Sequence, residues 1–267
     1  MTDTPATAQP LFKPRAKPPV DGLALVYDVA GFTRFFNQPD AHRYVPRYLN
    51  HVTEAMSIIL SGGTAYWTFK PEKNVAKPIR LKALPFTLLQ RKFLGDGELI
   101  IWKIEDPDDP ELAENLKYLI NRLWVLQSAF SYVLERAKKE IPVAQLPDKI
   151  RFSLARGDLY QLESARGDAP EFAGVCLNLA SRLVKYCPEL SFLASDRVEA
   201  RDEEIHQIYS RVVATKIRGF PDEIVLANKG DFAKLNERAK RGLFRELASH
   251  PGAPRIPRKR AVSAKTG

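Results

Sequence analysis

The alternation of apolar and polar positions divides the chain into strand-like and helix-like segments. Residues 23–29 (LALVYDV) form a short apolar run rich in strand formers, which predicts a buried strand. Residues 33–60 have helical character but contain two prolines, so we expect an irregular helix in two parts. Residues 64–91 are basic, contain three prolines and show no clear period, which predicts a strand followed by a long loop inserted into the domain.

The second part of the chain continues this alternation. Gly95-Asp96-Gly97 separates two apolar runs and predicts a hairpin between strands at 91–93 and 99–104. A long amphipathic helix follows at about 111–139. Further predicted elements are a hairpin of strands at 150–155 and 159–162, helices at 177–186 and 230–248, and strands at 191–195, 209–217 and 223–228. Hairpins mixed with crossovers indicate an α+β fold, with helices packed on a mostly antiparallel sheet.

Length and composition exclude several classes of protein. A chain of 267 residues with 45% hydrophobic residues and 2 Cys can bury a core without disulfides, which rules out collagen-like, disulfide-scaffold and wholly disordered proteins. No apolar run is long enough to span a bilayer, and the N-terminus lacks the apolar core of a signal peptide. We therefore expect a cytoplasmic protein without a membrane span, with Cys176 and Cys187 as reduced, structural residues.

The net charge of +9 lies mainly in the two ends of the chain. Residues 1–20 carry +2 and residues 251–267 carry +5, so residues 21–250 are nearly neutral. This distribution predicts a flexible basic tail at 1–20, one domain at 21–250 with its insertion at about 64–91, and a disordered basic tail at 251–267. The run Arg258-Lys259-Arg260 is short and has no interleaved aromatic residues, so we expect no nucleic-acid partner.

Two carboxylates stand at the ends of apolar strands. Asp28 precedes Ala30-Gly31-Phe32-Thr33 at the start of a helix, and Asp96 is at the tip of the Gly-Asp-Gly hairpin. Together they could hold two divalent cations, as in phosphoryl-transfer sites. The alternative is purely local, because Asp28 and Thr33 also suit a turn and a cap, and Asp-Gly suits a tight hairpin turn.

A second pair of polar residues lies on one predicted helix. Asn178 and Arg182 are four positions apart in LNLASRL, so both project from the same helical face. An amide suits a sugar hydroxyl and a guanidinium suits a phosphate. The alternative is an ordinary polar stripe on a surface helix.

Three segments in this order resemble the signature segments of class III nucleotidyl cyclases: DVAGFT (28–33), KFLGD (92–96) and GVCLNLASRL (174–183). The resemblance covers roughly residues 22–228. It implies a ferredoxin-like α+β domain that forms a head-to-tail homodimer, with active sites built from both subunits. It also implies that Asp28 and Asp96 bind two Mg²⁺ or Mn²⁺ ions, with the Val29 carbonyl as a possible further ligand.

The same resemblance assigns the nucleotide contacts. Asn178 and Arg182 would reach in from the partner chain to position the ribose and stabilise the transferring phosphate. The backbone of Gly31-Phe32-Thr33 would cradle the triphosphate. Arg218 lies where the family places a basic residue near the phosphates, with nearby Lys216 as an equal alternative. Lys92 and Glu171 match the positions that contact the base, where adenylate cyclases carry Lys and usually Asp or Thr, so Lys92 keeps a purine open and Glu171 departs from that pattern.

The identity of the base depends on the first helix. The family places an apolar wall of the base pocket there, usually with an aliphatic residue, and this chain offers Tyr44, Val45 and Tyr48. The larger, polar-tipped Tyr44 favours a pyrimidine, although Tyr44 could instead pack in the dimer interface. The isolated domain and its insertion also look like the Pycsar-type pyrimidine cyclases of bacterial antiphage defence.

That closer resemblance implies conversion of UTP to cyclic UMP, which a separate cyclic-nucleotide-activated effector would recognise. CTP and ATP remain alternative substrates. A different alternative is a catalytically inactive, cyclase-like binding protein, because Gly174-Val175 replaces the Gly-Asp that often opens the last motif and the insertion stretches the spacing between Asp28 and Asp96.

Overall fold

The computed structural model describes residues 10–14, 17–61, 64–65, 79–80, 83–165, 167–200 and 203–247. The predicted C-terminal tail, residues 1–9 and 15–16 of the N-terminal tail, and residues 66–78 and 81–82 of the insertion lie outside this range. The strands are β1 (Val20–Ala30), β2 (Thr64–Ala65), β3 (Ile79–Arg80), β4 (Thr87–Phe93), β5 (Gly97–Lys103), β6 (Lys149–Leu162), β7 (Glu171–Gly174), β8 (Phe192–Ser195), β9 (Tyr209–Ala214), β10 (Glu223–Asn228) and β11 (Phe244–Glu246).

Helices connect these strands and cover the sheet. They are α1 (Phe32–Phe36), α2 (Val45–Ser61), α3 (Leu112–Ser128), α4 (Phe130–Lys138), α5 (Val175–Leu183), α6 (Glu203–Ile208), α7 (Lys229–Lys234) and α8 (Glu237–Leu243). Across the described part of the chain, no helix combines the length and apolar character that crossing a membrane requires.

A nine-stranded sheet forms the centre of the described structure, in the order β11-β9-β10-β8-β6-β1-β5-β4, with β7 paired to β6. All of these strand pairs are antiparallel except β6 with β8. The α+β class with a mostly antiparallel sheet and packed helices is therefore confirmed.

Strand β1 separates two cores because successive side chains of a strand point to opposite faces. Leu23, Leu25 and Tyr27 pack in the core beneath α2, α3 and α4. Ala24 and Val26 pack on the other face, in the core beneath α5. The same alternation places Asp28 on the α5 face of the sheet, at the end of the strand.

Two strand boundaries differ from the sequence-based expectation. The predicted hairpin at 150–162 is wrong, because β6 runs without a turn through Gly157. The partner strand explains this: Arg156, Gly157 and Asp158 all continue the antiparallel ladder with β1. In addition, β4 begins at Thr87, so the end of the predicted insertion loop is a strand at the edge of the sheet.

Helix boundaries also differ. The irregular first helix is confirmed, as α1, a 3₁₀ turn at Ala41–Arg43 and α2. The helix expected at 111–139 is divided at Ala129, without a Gly or Pro at the break, and both Leu126 and Phe130 are buried in one core. The helix expected at 230–248 is instead α7, α8 and the edge strand β11.

The first described residues pair with the segment that follows β6. Phe12 forms a bridge with Ser164, and the backbone N–H of Lys13 donates to the Glu163 carbonyl. The ammonium groups of Lys13 and Lys17 both lie close to the Glu163 carboxylate. Part of the predicted N-terminal tail is thus held against the start of the β6–β7 connection.

Both cysteines are buried and free, on or just after α5. Burial raises the pKa of the Cys176 thiol to about 11, and burial together with nearby Glu189 raises that of Cys187 to about 11. Both thiols are therefore protonated near neutral pH and behave as small apolar groups of the core.

Candidate active site

Asp28 and Asp96 converge at one end of the sheet. Asp28 pairs with Gly97 across the β1–β5 ladder, and the next backbone N–H, that of Val29, donates to the Asp96 carbonyl at 3.0 Å. The tip of the β4–β5 hairpin is thereby fixed beside the end of β1. Asp28 is buried and Asp96 is half-buried. The structure brings together the two residues that the sequence singled out as metal ligands.

Gly97 makes this close approach possible. A Cβ at this position would lie 1.9 Å from the Tyr27 carbonyl oxygen and 2.8 Å from the Asp28 Cα. The backbone of β1 therefore occupies the space that any other side chain would need, which explains the second glycine of the Gly-Asp-Gly turn.

We expect Gly97→Ala to lower the free energy of unfolding by about 1–3 kcal/mol, because the methyl group forces β5 away from β1. Urea denaturation followed by circular dichroism measures the change. Gly242→Ala is the matched control: apart from the neighbouring residues and backbone of its own helix, nothing lies within 4 Å of its added Cβ, and alanine is favoured over glycine within α8. A Gly97→Ala protein as stable as the wild type would contradict the close approach.

A buried polar network holds the hairpin from the other face of the sheet. The Tyr27 hydroxyl donates to Glu98 at 3.0 Å, and Arg91 donates to both Glu98 and the Ser57 hydroxyl of α2. Burial and the Glu98 carboxylate both raise the pKa of Tyr27, so its hydroxyl stays protonated and remains a donor. Glu98 thus links β5 to β1 and β4 and helps to fix the Asp96 turn.

The Asp28 carboxylate faces Arg151 on β6. Arg151 Nε donates to Oδ1 at 2.7 Å and Nη2 donates to Oδ2 at 2.6 Å, a bidentate pair between residues directly opposite in the β1–β6 ladder. Arg151 is not among the residues that the sequence motifs singled out. The alternation in KIRFSLAR could have placed it on the same sheet face as Lys149, but only the strand register reveals its partner.

The donor set at this end of the sheet suits a hard cation. Two carboxylates and backbone carbonyls are oxygen ligands, which Mg²⁺ and Mn²⁺ prefer. No group of three or more Asp, Glu, His or Cys side chains suited to a metal occurs among the described residues. A cation held by Asp28 and Asp96 would therefore take its remaining ligands from carbonyls, water or substrate phosphates, as Mg²⁺ commonly does.

Helix α5 presents Asn178 and Arg182 on its outer face. Cys176, Leu179 and Leu183 are buried beneath it, and the Ser153 hydroxyl of β6 donates to the Ala180 carbonyl at 2.7 Å. Asn178 and Arg182 are both exposed. The described residues offer neither side chain a hydrogen-bonding or ionic partner, so both are available to a ligand or another chain.

Lys92 and Glu171, the two residues matched to the base-reading positions, contact each other. Lys92 Nζ lies 3.1 and 3.2 Å from the two Glu171 carboxylate oxygens. Lys92 is on the edge strand β4. Glu171 is on β7, which pairs with β6, and strands β1 and β5 lie between β6 and β4. Because Glu171 nevertheless contacts Lys92, β7 lies over the α5 face of the sheet, where Phe172 packs against the same core as Leu89 and Leu99.

The residues of the expected base wall divide between surface and core. Tyr44 and Val45 are half-buried and pack against the core beneath α2. Tyr48 is fully buried and its hydroxyl donates to the Pro147 carbonyl at 3.0 Å. Including Tyr48 in the pocket wall is therefore wrong, because helical spacing turns it inward.

Two predicted phosphate contacts lie at opposite ends of the sheet. Gly31 precedes α1 with a φ of 84°, directly after the β1 end that carries Asp28. Arg218 is exposed in the loop between β9 and β10. β10 pairs with β8, β8 pairs with β6, and β6 pairs with β1. When these registers are followed from strand to strand, the β9–β10 loop lies at the end of the sheet where β1 carries Gly22. Arg218 and Asp28 of the same chain are therefore far apart.

Comparisons with known proteins identify the fold. No protein-family model matches the sequence, and no curated protein matches it. Among solved structures, the adenylyl cyclase CyaB from P. aeruginosa is similar with a TM-score of 0.51 and 14% identity, over 80% of this chain and 95% of that chain. The guanylyl cyclase Cya2 gives 0.53 and 14%, over 80% and 93%. A bacterial light-regulated adenylyl cyclase gives 0.50 and 12%, over 84% and 95%.

These similarities extend over nearly the whole of each solved chain. At 12–14% identity they establish the fold, and a fold alone does not determine an activity. The chain has the fold of adenylyl and guanylyl cyclases.

Proposed function

We propose that the protein is a nucleotidyl cyclase that converts a ribonucleoside triphosphate to its 3′,5′-cyclic monophosphate and pyrophosphate. The observation that carries the proposal is the convergence of Asp28 and Asp96 at one end of β1, within a fold shared with known cyclases. Asn178 and Arg182, which are exposed on the α5 face of the same sheet and have no side-chain partner among the described residues, support it.

The reaction is an internal displacement at the α-phosphorus. The ribose 3′-oxygen bonds to the α-phosphorus, the bond from that phosphorus to the pyrophosphate oxygen breaks, and the proton of the 3′-hydroxyl passes to solvent water. Asp28, Asp96 and the Val29 carbonyl would hold two Mg²⁺ or Mn²⁺ ions, which would supply activation of the hydroxyl and neutralisation of the leaving pyrophosphate.

The remaining residues bind the nucleotide and stabilise charge. Backbone N–H groups of Gly31-Phe32-Thr33 receive the triphosphate, since the first turn of a helix leaves its N–H groups without helical partners. Arg182 stabilises the charge that develops on the α-phosphate, and Asn178 positions the ribose. Arg218 contributes a further positive charge near the phosphates.

Each active site is built from two copies of the chain in a head-to-tail homodimer. Arg218 is at the opposite end of the sheet from Asp28 of its own chain, so it can serve this site only from a second copy. Asn178 and Arg182 also come from the partner, whose α5 face meets the α5 face of the first chain.

We further propose that the substrate is a pyrimidine nucleotide, UTP in preference to CTP. The Lys92–Glu171 pair presents an ammonium donor and a carboxylate acceptor together, which suits the paired acceptor and donor on the edge of a nucleobase, so the preference for a pyrimidine rests on Tyr44. The half-buried Tyr44 narrows the pocket against a purine.

The base is tested by incubating the purified protein with each of the four ribonucleoside triphosphates and Mn²⁺, and separating the products by mass spectrometry. We expect cyclic UMP as the main product. We also expect Tyr44→Ala to raise the kcat/KM ratio of ATP to UTP by roughly tenfold or more, because it enlarges the pocket. Tyr118→Ala, an exposed tyrosine on α3, is the matched control. Formation of cyclic AMP alone by the wild type would contradict the pyrimidine assignment.

By its resemblance to pyrimidine cyclases of antiphage defence, the proposed product is a second messenger in antiviral defence. A separate effector that binds the cyclic nucleotide would then carry the response. The domain is nearly neutral, and the proposal places only Lys92, Arg182 and Arg218 at the nucleotide. This suits a nucleotide substrate rather than a nucleic acid, which needs a broad basic surface.

A further inference from the structure

Arg151 and Asp28 form a closed ion pair within the proposed metal site. Both carboxylate oxygens accept a hydrogen bond from the guanidinium, at 2.7 and 2.6 Å. The side chains are only 16% and 6% exposed, so little water competes with the contact. A divalent cation bound to the same carboxylate oxygens would therefore meet a guanidinium already occupying its place.

We propose that Arg151 is the counter-ion of Asp28 in the nucleotide-free protein and competes with the divalent cation for its carboxylate. This inference rests on the proposed function, in which Asp28 is a metal ligand. Arg151 must turn away from Asp28 before the cation binds, because a dication and a guanidinium on one carboxylate repel each other at short range. Arg151 is accordingly a positioning residue that sets when the cation enters.

The competition couples cation binding to nucleotide binding. Without nucleotide, cation binding leaves Arg151 without its anion, so the affinity for the cation is low. A triphosphate brings negative charge that compensates both the cation and the displaced guanidinium. Cation and triphosphate therefore strengthen each other's binding, and by linkage the strengthening is the same in both directions.

The test measures Mn²⁺ binding by electron paramagnetic resonance, without turnover and with inorganic tripolyphosphate as the anion. For Arg151→Gln without tripolyphosphate, we expect Mn²⁺ to bind about tenfold more tightly than to the wild type, within the ordinary range of coupling between sites. We also expect tripolyphosphate to increase Mn²⁺ affinity less in the variant than in the wild type. Unchanged Mn²⁺ affinity in Arg151→Gln would overturn the proposal.

Arg156→Gln is the matched control. Arg156 lies on the same strand and makes a similar contact, with Asp21, away from the metal end of the sheet. We expect its Mn²⁺ affinity to equal that of the wild type, and an equal gain in both variants would overturn the specific role of Arg151.

Asp28→Asn separates a failure of the metal assignment from a failure of the counter-ion role. If Asp28→Asn weakens Mn²⁺ binding, the metal assignment holds and Arg151→Gln alone decides the counter-ion role. If it leaves binding unchanged, the metal assignment itself fails, and the inference with it.

A second measurement does not depend on whether Arg151→Gln folds. In the nucleotide-free wild type, we expect the ¹⁵N Nε–H signal of Arg151, identified by its loss in Arg151→Lys, to exchange slowly with water. Adding Mg²⁺ and tripolyphosphate together should shift it, whereas NaCl at equal ionic strength should not. A signal that stays in place with Mg²⁺ and tripolyphosphate would overturn the proposal.

Discussion

Asp28→Asn and Asp96→Asn should each lower cyclase turnover by more than about 100-fold, which exceeds the usual effect of losing a residue that merely orients a metal ligand. Each change replaces a charged oxygen ligand with a neutral amide of nearly the same size. Asparagine also retains an oxygen that can accept a hydrogen bond from Arg151, so the fold should survive at position 28. Because the two residues act as a unit, the double variant should be little worse than either single variant.

The measurement is turnover of the preferred nucleotide at saturating Mn²⁺, with thermal unfolding of each variant to verify folding. Asp106→Asn, on the exposed turn before α3, is the control and should retain wild-type activity. Wild-type turnover in a folded Asp28→Asn or Asp96→Asn protein would reject both residues as metal ligands.

Mixing two inactive variants should restore activity, because each proposed site takes its carboxylates from one chain and its arginine from the other. Arg182→Ala alone should lose roughly 10³-fold in turnover, the scale of an arginine that stabilises a transferring phosphate. After equal amounts of Arg182→Ala and Asp28→Asn exchange subunits, half of the dimers are mixed. Each mixed dimer keeps one intact site of two, so about one quarter of wild-type activity should return.

The control mixture is Arg182→Ala with Asn178→Ala. Both residues lie on α5 of the same chain, so every site in every dimer keeps one defect and no activity should return. Subunit exchange is verified with differently tagged chains. No recovery in the mixture of Arg182→Ala and Asp28→Asn, despite proven mixed dimers, would place the whole site within one chain.

Local pattern was sufficient for most of the fold. The apolar run of β1 and the Gly-Asp-Gly turn predicted the strand end and hairpin that carry Asp28 and Asp96. Pattern failed where a distant partner decides the structure. Gly157 looked like a turn because Gly commonly breaks strands, yet β1 pairs with both of its neighbours and keeps β6 continuous.

The charge partners at the site also depend on long-range register. Arg151 is more than 120 positions from Asp28 in sequence, and only the alignment of β1 with β6 places them opposite each other. Helical periodicity could have excluded Tyr48 from the base pocket, because its spacing from Val52 and Met56 places all three on the buried face of α2. Sequence indicated which residues carry chemistry, and register determined what each of them faces.

The most direct measurement is the product balance with the nucleotide that the protein consumes fastest. Incubation with Mn²⁺, followed by mass spectrometry and a pyrophosphate assay, should give 3′,5′-cyclic nucleotide and pyrophosphate in equal amounts from the wild type, and neither from Asp28→Asn. Nucleoside diphosphate with inorganic phosphate as the products, or no consumption of any of the four nucleotides, would contradict a nucleotidyl cyclase.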